Sequence, residues 1–406
     1  MMNTHPKKTA LQLIVLFGLV SLFGDIVYEG ARSVNGPYLK TLGASAAIVG
    51  LIAGLGEFIG YAIRLVSGYF ADKTRAYWVF TFLGYGLLIS VPMLSLTGTW
   101  QVAALFIVME RLGKALRSPA RDTIVSTAAK QVGTGFGFGL QEAMDQIGAI
   151  CGPLIFAVLF WLMGTQQKTL LDYQKGYAYL WIPFILVMIC VIFAYLRVPD
   201  PQKLENSIKK EPEPDKLSKT FWLYSFFTFI TTMGFLNFAL MGYHFKARNI
   251  LTDAQIPFFY AIAMAIDGAV ALAIGKVYDV FKSNRNNEKS GLITLIIIPI
   301  FSLFIPVFAF SNSYTLVVLS VLIWGVVMGA HETIMKSAIA DITPLEKRGT
   351  GYGVFNTAYG LAAFIGSALM GFLYDYSITA LIIIACLIEL FSIPLFILLR
   401  REALRK

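Results

Sequence analysis

Charge is scarce in this sequence. Asp, Glu, Lys and Arg make up 14% of the 406 residues, against 57% apolar residues. A soluble chain of this length needs more charge to cover its surface, which excludes an ordinary soluble protein. Cysteine is scarce as well. Cys151, Cys190 and Cys386 are scattered through apolar stretches, too far apart for a ligand set, and read as small packing residues. Histidine, Cys and Asp form no cluster that could hold a metal, and no nucleophile motif is present; Ser118 and Ser126 have no His nearby in sequence. Neither an enzyme nor a bound cofactor or metal is expected. The net charge of +9 would invite nucleic acid. The basic residues lie in short loops between apolar stretches and form no basic face, so a nucleic-acid partner is not expected either.

What the chain has is hydrophobic length. On a crossing criterion of about 20 residues, twelve candidate spans fall near 11–34, 46–71, 77–97, 101–121, 136–162, 176–196, 220–245, 256–280, 291–311, 315–340, 351–374 and 378–399. The fold class is an all-α membrane protein with the lipid bilayer as partner. Lys7 and Lys8 before the first apolar run imitate a secretory signal, but no small-residue cleavage site follows, and the run reads as a retained first helix. Gly50, Gly54, Gly56 and Gly60 in the second span allow helix backbones to approach closely.

Lys and Arg set the expected orientation. With the N-terminus in the cytoplasm, the cytoplasmic loops hold Lys73, Arg75, Arg121, Lys130, Lys282, Arg285, Lys289, Lys347 and Arg348, and the tail adds Arg400, Arg401, Arg405 and Lys406. The opposite loops carry little, among it Lys40, Lys168, Lys246 and Arg248. The positive-inside rule places both termini in the cytoplasm of a multi-pass inner (plasma) membrane protein. The one long polar stretch, with Pro199, Pro201, Pro212 and Pro214, has linker composition. It divides the chain into a six-span bundle over 1–196, a cytoplasmic linker over 197–219 and a second bundle over 220–406.

The halves repeat a pattern. Gly68-Tyr-Phe-Ala-Asp72 leads into Lys73 and Arg75 after the second span, and Gly275-Lys-Val-Tyr-Asp279 into Lys282 and Arg285 after the eighth. Gly133-Thr-Gly-Phe-Gly137 opens the fifth span and Gly349-Thr-Gly-Tyr-Gly353 the eleventh. Two matches at corresponding places point to internal duplication.

At these residues the chain resembles the major facilitator superfamily. The loop Gly68 to Arg75 is similar to that family's signature loop, with Thr74 where a Gly is usual, and the stretch at Gly275 is similar to its degenerate partner. Asp25-Ile-Val-Tyr-Glu29-Gly-Ala-Arg32, Glu110 to Asp122 and Gln141 to Gly148 resemble an uncharacterised bacterial and archaeal subgroup, from which no substrate carries over. The resemblance implies two pseudo-symmetric six-helix bundles, a central cavity lined chiefly by helices 1, 4, 7 and 10, and a monomer. It also implies a gating role for Asp72, Lys73, Arg75 and Asp279. Asp72 is expected to meet the N-terminus of a neighbouring helix and a nearby Arg. Gly148-Ala-Ile-Cys-Gly152-Pro153 resembles the start of an exporter motif, but Phe156 and Ala157 stand where its terminal glycine pair belongs.

Charges inside the spans are costly and point to function. Asp25, Glu29 and Arg32 share a face of the first span, and Glu110, Lys114 and Arg117 a face of the fourth, which also carries Arg111. The tenth holds His331, Glu332 and Lys336, and the seventh Asn237 with His244 near its outer end. Asp25, Glu29, Arg32, Glu110, Arg111, Lys114, His331, Glu332 and Lys336 are the candidate substrate and proton sites. Glu57, Arg64, Glu142, Asp145, Asp267 and Asn237 are secondary candidates, with Arg64, Arg117 and Asp267 read as members of permanent ion pairs. A carboxyl whose basic partner changes between two conformations couples proton binding to access. The expected function is a secondary active carrier of a small polar solute, charged or zwitterionic, working by alternating access with proton coupling. The competing reading is a drug or siderophore exporter exchanging against protons.

Overall fold

The computed structural model describes residues 6–200, 217–285, 288–343 and 348–404, without the side chains of 6, 130, 134–136, 284, 285, 288, 289, 335, 336, 340 and 348–350. Most of the 197–219 linker, and the side chain of Lys336, lie outside the described residues. Twelve helical spans follow one another: α1 (Pro6–Thr41), α2 (Ala46–Thr74), α3 (Tyr77–Leu96), α4 (Trp100–Val132), α5 (Thr134–Leu162), α6 (Leu170–Arg197), α7 (Lys219–Ala247), α8 (Gln255–Arg285), α9 (Ser290–Ala309), α10 (Tyr314–Ile342), α11 (Arg348–Tyr376) and α12 (Ile378–Leu404). Eleven are long and apolar enough to cross a bilayer by composition alone. The exception is α4, whose run holds Glu110, Arg111, Lys114, Arg117, Arg121 and Asp122.

Local chemistry sets several ends. The Ser45 hydroxyl accepts from Ile48 N–H at 3.3 Å and starts α2, and Ser218 does the same for Phe221 at 3.1 Å and starts α7. Arg75 closes α2 in the left-handed region at φ 56°. The α7 span is broken. Its first segment ends at Gly234, and its second, Phe238–Ala247, begins where the Asn237 side chain accepts from Ala239 N–H at 2.8 Å. The Leu236 carbonyl, freed by the break, accepts from Trp324 Nε1 at 3.0 Å. Irregular backbone at membrane depth is tolerated when its polar groups are satisfied in this way.

The packing has pseudo-two-fold symmetry. In the first half α1 packs on α5 and α2 on α4; in the second α7 packs on α11 and α8 on α10. The halves meet through α2 with α11 and α5 with α8. Gly148 and Gly152 lie against the carbonyls of Leu22 and Ile26, and a methyl at either would collide with the α1 backbone. The glycines of the exporter-like motif therefore serve close packing of α1 on α5.

Candidate substrate cavity and gates

A cavity of about 600 Å³ lies between the halves. It reaches Arg121, Asp122, Phe138, Ile339 and Tyr352, near the face that carries the Gly68–Arg75 loop. Toward the other face it ends around Arg32, Asn237 and Ser367. Lining it are Asp25, Glu29 and Arg32 of α1, Glu57 and Arg64 of α2, Arg111 and Lys114 of α4, Glu142 and Asp145 of α5, Asn237 of α7, Asp267 of α8, and His331 and Glu332 of α10.

One set of these charges is satisfied within the protein. Glu57 Oε1 receives Arg32 Nη2 at 3.4 Å and Arg111 Nη2 at 3.1 Å. Arg32 Nη1 lies 3.5 Å from Glu29 Oε1, and Glu29 Oε2 accepts from the Tyr260 hydroxyl of α8 at 2.5 Å. Arg111 donates to the Tyr28 hydroxyl and stacks 4.6 Å over its ring. Glu57, expected as secondary, is thus the hub that joins α1, α2 and α4, and it pairs with these two arginines rather than with Arg64.

A second set has spare bonding capacity. Lys114 Nζ rests 3.9 Å over the Tyr28 ring, and Arg64 lies 4.7 Å over Tyr61 with its Nε unpartnered. Asp25 is within electrostatic reach of Asp145, Lys114 and Glu29. Asp145 Oδ1 and Asp267 Oδ1 are buried without a hydrogen-bond partner. Both ring nitrogens of His331 are unpartnered, and the ring stacks on Phe235 with centroids 5.6 Å apart. Glu332 faces the same space, within reach of Asp267 and Tyr61.

Two expectations are corrected. Glu110 does not reach the cavity wall. It is buried behind it, 3.4 Å from Arg117 Nη2 and 3.6 Å from Arg111 Nε, and a carboxylate held by two guanidiniums has its charge answered inside the protein. Arg117 is turned toward α3, donating to the Gly84 carbonyl at 3.3 Å and stacking on Tyr85, which draws Glu110 away from the cavity. Asp267, read as a member of an ion pair, has no ion partner among the described residues.

On the signature-loop face Asp72, Lys73, Arg75 and Asp279 are exposed. Asp72 accepts from the Tyr77 hydroxyl at 3.1 Å. In the second half Asp341 takes Lys282 Nζ at 2.7 Å and the Tyr278 hydroxyl at 2.9 Å.

The opposite face is latched. Asp253, at the start of α8, is 2% exposed. It binds Lys246 Nζ at 2.6 Å, the Tyr173 hydroxyl at 2.6 Å and the Lys168 backbone N–H at 2.5 Å, while its own N–H donates to the Gln166 carbonyl at 3.3 Å. Gln167 Nε2 donates to Asn249 Oδ1 at 2.5 Å beside it. Removal from water disfavours the charged form of Lys168, and Asp172 and Asp253 oppose that shift. Asp375, at the end of α11, accepts from Ala46 N–H at 3.2 Å and Ala47 N–H at 2.9 Å, capping α2 of the other half. Sequence reasoning missed Asp253, Asp341 and Asp375. A signal existed for the last: Gly371-Phe-Leu-Tyr-Asp375 is a third Gly-x-x-x-Asp after those ending at Asp72 and Asp279.

A sequence model described as Major Facilitator Superfamily matches residues 15–366 and 287–406. The chain belongs to the Major Facilitator Superfamily. This superfamily member is 38% identical over 403 residues to an uncharacterized protein of Mycobacterium tuberculosis, covering 98% of this chain and 95% of that one. It is 28% identical over 380 residues to an uncharacterized MFS-type transporter of Methanocaldococcus jannaschii, covering 92% of each. Its fold is similar to a bacterial homologue of the human lysosomal transporter Spinster in an inward-facing, occupied conformation, with TM-score 0.72, 14% identity and 98% of each chain covered. The nucleoside transporter NupG gives TM-score 0.66 at 16% identity with 100% of each chain covered. The protein is a transporter with many membrane-spanning helices, and not an enzyme.

Proposed function

We propose that this transporter carries a small charged or zwitterionic organic solute, coupled to protons, by alternating access of the cavity to the two sides of the membrane. The observation that carries this reading is a cavity with charges of both signs that make no ion pair among the described residues: Lys114 and Arg64 on one wall, Asp267 and Glu332 on the other. A desolvated cation and a desolvated acid across about 600 Å³ suit a solute that presents opposite charges to them. Asp25, beside Lys114, is the leading proton carrier, because movement of Lys114 toward substrate would leave its carboxylate uncompensated. The Lys and Arg asymmetry supports a cytoplasmic position for both termini and for the 197–219 linker between the two moving halves. On that orientation the cavity opens inward and the Asp253 latch lies outside.

The aromatic shelf of Phe235, His331 and Trp324 favours a second reading, export of a planar apolar compound. Uptake into proteoliposomes from pooled metabolites, with and without a pH gradient, separates the two. Saturable, gradient-dependent movement of polar zwitterions or ions supports the first. Movement of apolar aromatic compounds alone supports the second, and flux indifferent to the gradient removes proton coupling from both.

A further inference from the structure

Glu389 has no part in the cavity. It lies on α12 with no exposed surface, and neither carboxyl oxygen has a hydrogen-bond partner. An ionised carboxylate without compensation is strongly disfavoured at such a place, and the neutral acid is the form that fits. Among the described residues, no charged group from α7, α9 or α11, the helices packed on α12, comes within electrostatic reach. On its own helix the Cys386 thiol does.

The position of this carboxyl is specific. Oε1 lies only 2.8 Å from the point where a side-chain carbon on Gly234 would stand. Gly234 is the last residue of the first α7 segment, immediately before the break at Phe235–Asn237. Beyond the break, the 238–247 segment carries Lys246, the ion partner of Asp253 in the latch, and leans on α1 where Gly36 meets Ala239. A turn of this segment against the first would carry Lys246 away from Asp253 and from the Lys168 carbonyl, 3.5 Å away in the other half, and a break in helical hydrogen bonding is where such a turn concentrates.

We propose that Glu389 is a proton-binding site outside the cavity, whose protonated form holds the latched conformation and whose ionisation releases it. With the latch closed, the carboxyl is sealed and only the neutral form is accommodated. Movement at residues 235–237 admits water to it, the O–H bond breaks, and the proton leaves on water. By reciprocity, removal of protons favours the unlatched state. The inference rests on the reading that the latched face opens during transport.

The test is a distance measurement on the full-length protein in liposomes. Spin labels go on Leu171→Cys and Tyr376→Cys, which lie on opposite halves and are 66% and 84% exposed, with the native cysteines replaced by alanine. In the otherwise wild-type protein, the ratio of unlatched to latched distances should rise with pH by up to about tenfold per unit, the limit for one linked proton. Glu389→Gln and Glu389→Met should stay latched at every pH. A variant that follows the wild-type pH course overturns the proposal, as does a wild-type ratio that is populated but flat with pH. Failure of both variants to fold overturns it too, because a partnerless neutral carboxyl should tolerate an amide or an apolar chain of its size. A wild type that never populates the unlatched distance sinks the alternating-access reading instead.

Discussion

Glu57 and Asp25 line one cavity within electrostatic reach of basic groups, yet they stand in opposite situations. Glu57 holds two guanidiniums, Arg32 and Arg111, and its removal leaves both facing each other in a desolvated wall. Loss of one member of a buried ion cluster costs about 3–5 kcal/mol. Glu57→Gln should therefore lower the melting temperature in detergent markedly. Asp25 makes no direct ion pair among the described residues, so Asp25→Asn should melt close to wild type. It should abolish gradient-driven accumulation while sparing substrate exchange, which needs no net proton movement. Equal melting of the two variants, or full accumulation by Asp25→Asn, would contradict these roles. The positions of Asp25, Glu29 and Arg32 on one helical face were legible from their spacing. The identity of their partners was not, because Glu57, Tyr260 and Arg111 arrive from other helices and no periodicity encodes the rotation of one helix against another. Glu110 shows the same limit: its neighbour Arg111 points to the cavity, and one residue's rotation takes Glu110 to the α3 side.

Among the helices, the ends carry the conformational information. Asp253 joins α8 to the loop before α6 and to Lys246 of α7. Asp375 joins α11 to the start of α2. Asp253→Asn should destabilise the latched state by about 3 kcal/mol or more, and Asp375→Asn by about 1 kcal/mol, the scale of a charged helix cap. The distance between labels at Leu171 and Tyr376 reads both shifts, and a larger effect for Asp375→Asn would invert the ranking. Asp72 sits on the other face, exposed, with its carboxylate accepting from the Tyr77 hydroxyl. Asp72→Asn should leave melting unchanged and slow turnover, because closure of that face is the step expected to engage it. Wild-type turnover in the variant would remove its gating role. The break in α7 was not legible: residues 220–245 read as one apolar run, and hydropathy does not register where backbone hydrogen bonds stop. The cap on α2 was visible in retrospect as a third Gly-x-x-x-Asp, but it lies on the face opposite to its two counterparts.

At the level of the whole molecule, the duplication seen in the two glycine-rich patterns corresponds to a symmetric packing, α1 on α5 with α7 on α11, and α2 on α4 with α8 on α10. Span number and fold class were legible because apolar length is dictated by bilayer thickness. Orientation is a separate expectation with its own check. A cysteine at Ser207 should resist an impermeant reagent in intact cells and react once the membrane is opened; rapid labelling from outside would reverse the topology. One structural feature bears on how the chain enters the bilayer at all. Of the twelve spans among the described residues, α4 alone is too charged to pass as a crossing helix. The charges Glu110, Arg111, Lys114 and Arg117 together carry an insertion penalty of roughly 10 kcal/mol if α4 faces lipid by itself. Glu57 on α2 and Tyr28 on α1 answer Arg111 and Lys114, and both are synthesised earlier. The fourth span must then leave the translocon onto a waiting surface of α1 and α2 rather than into lipid, which makes the order of synthesis part of the assembly of the cavity.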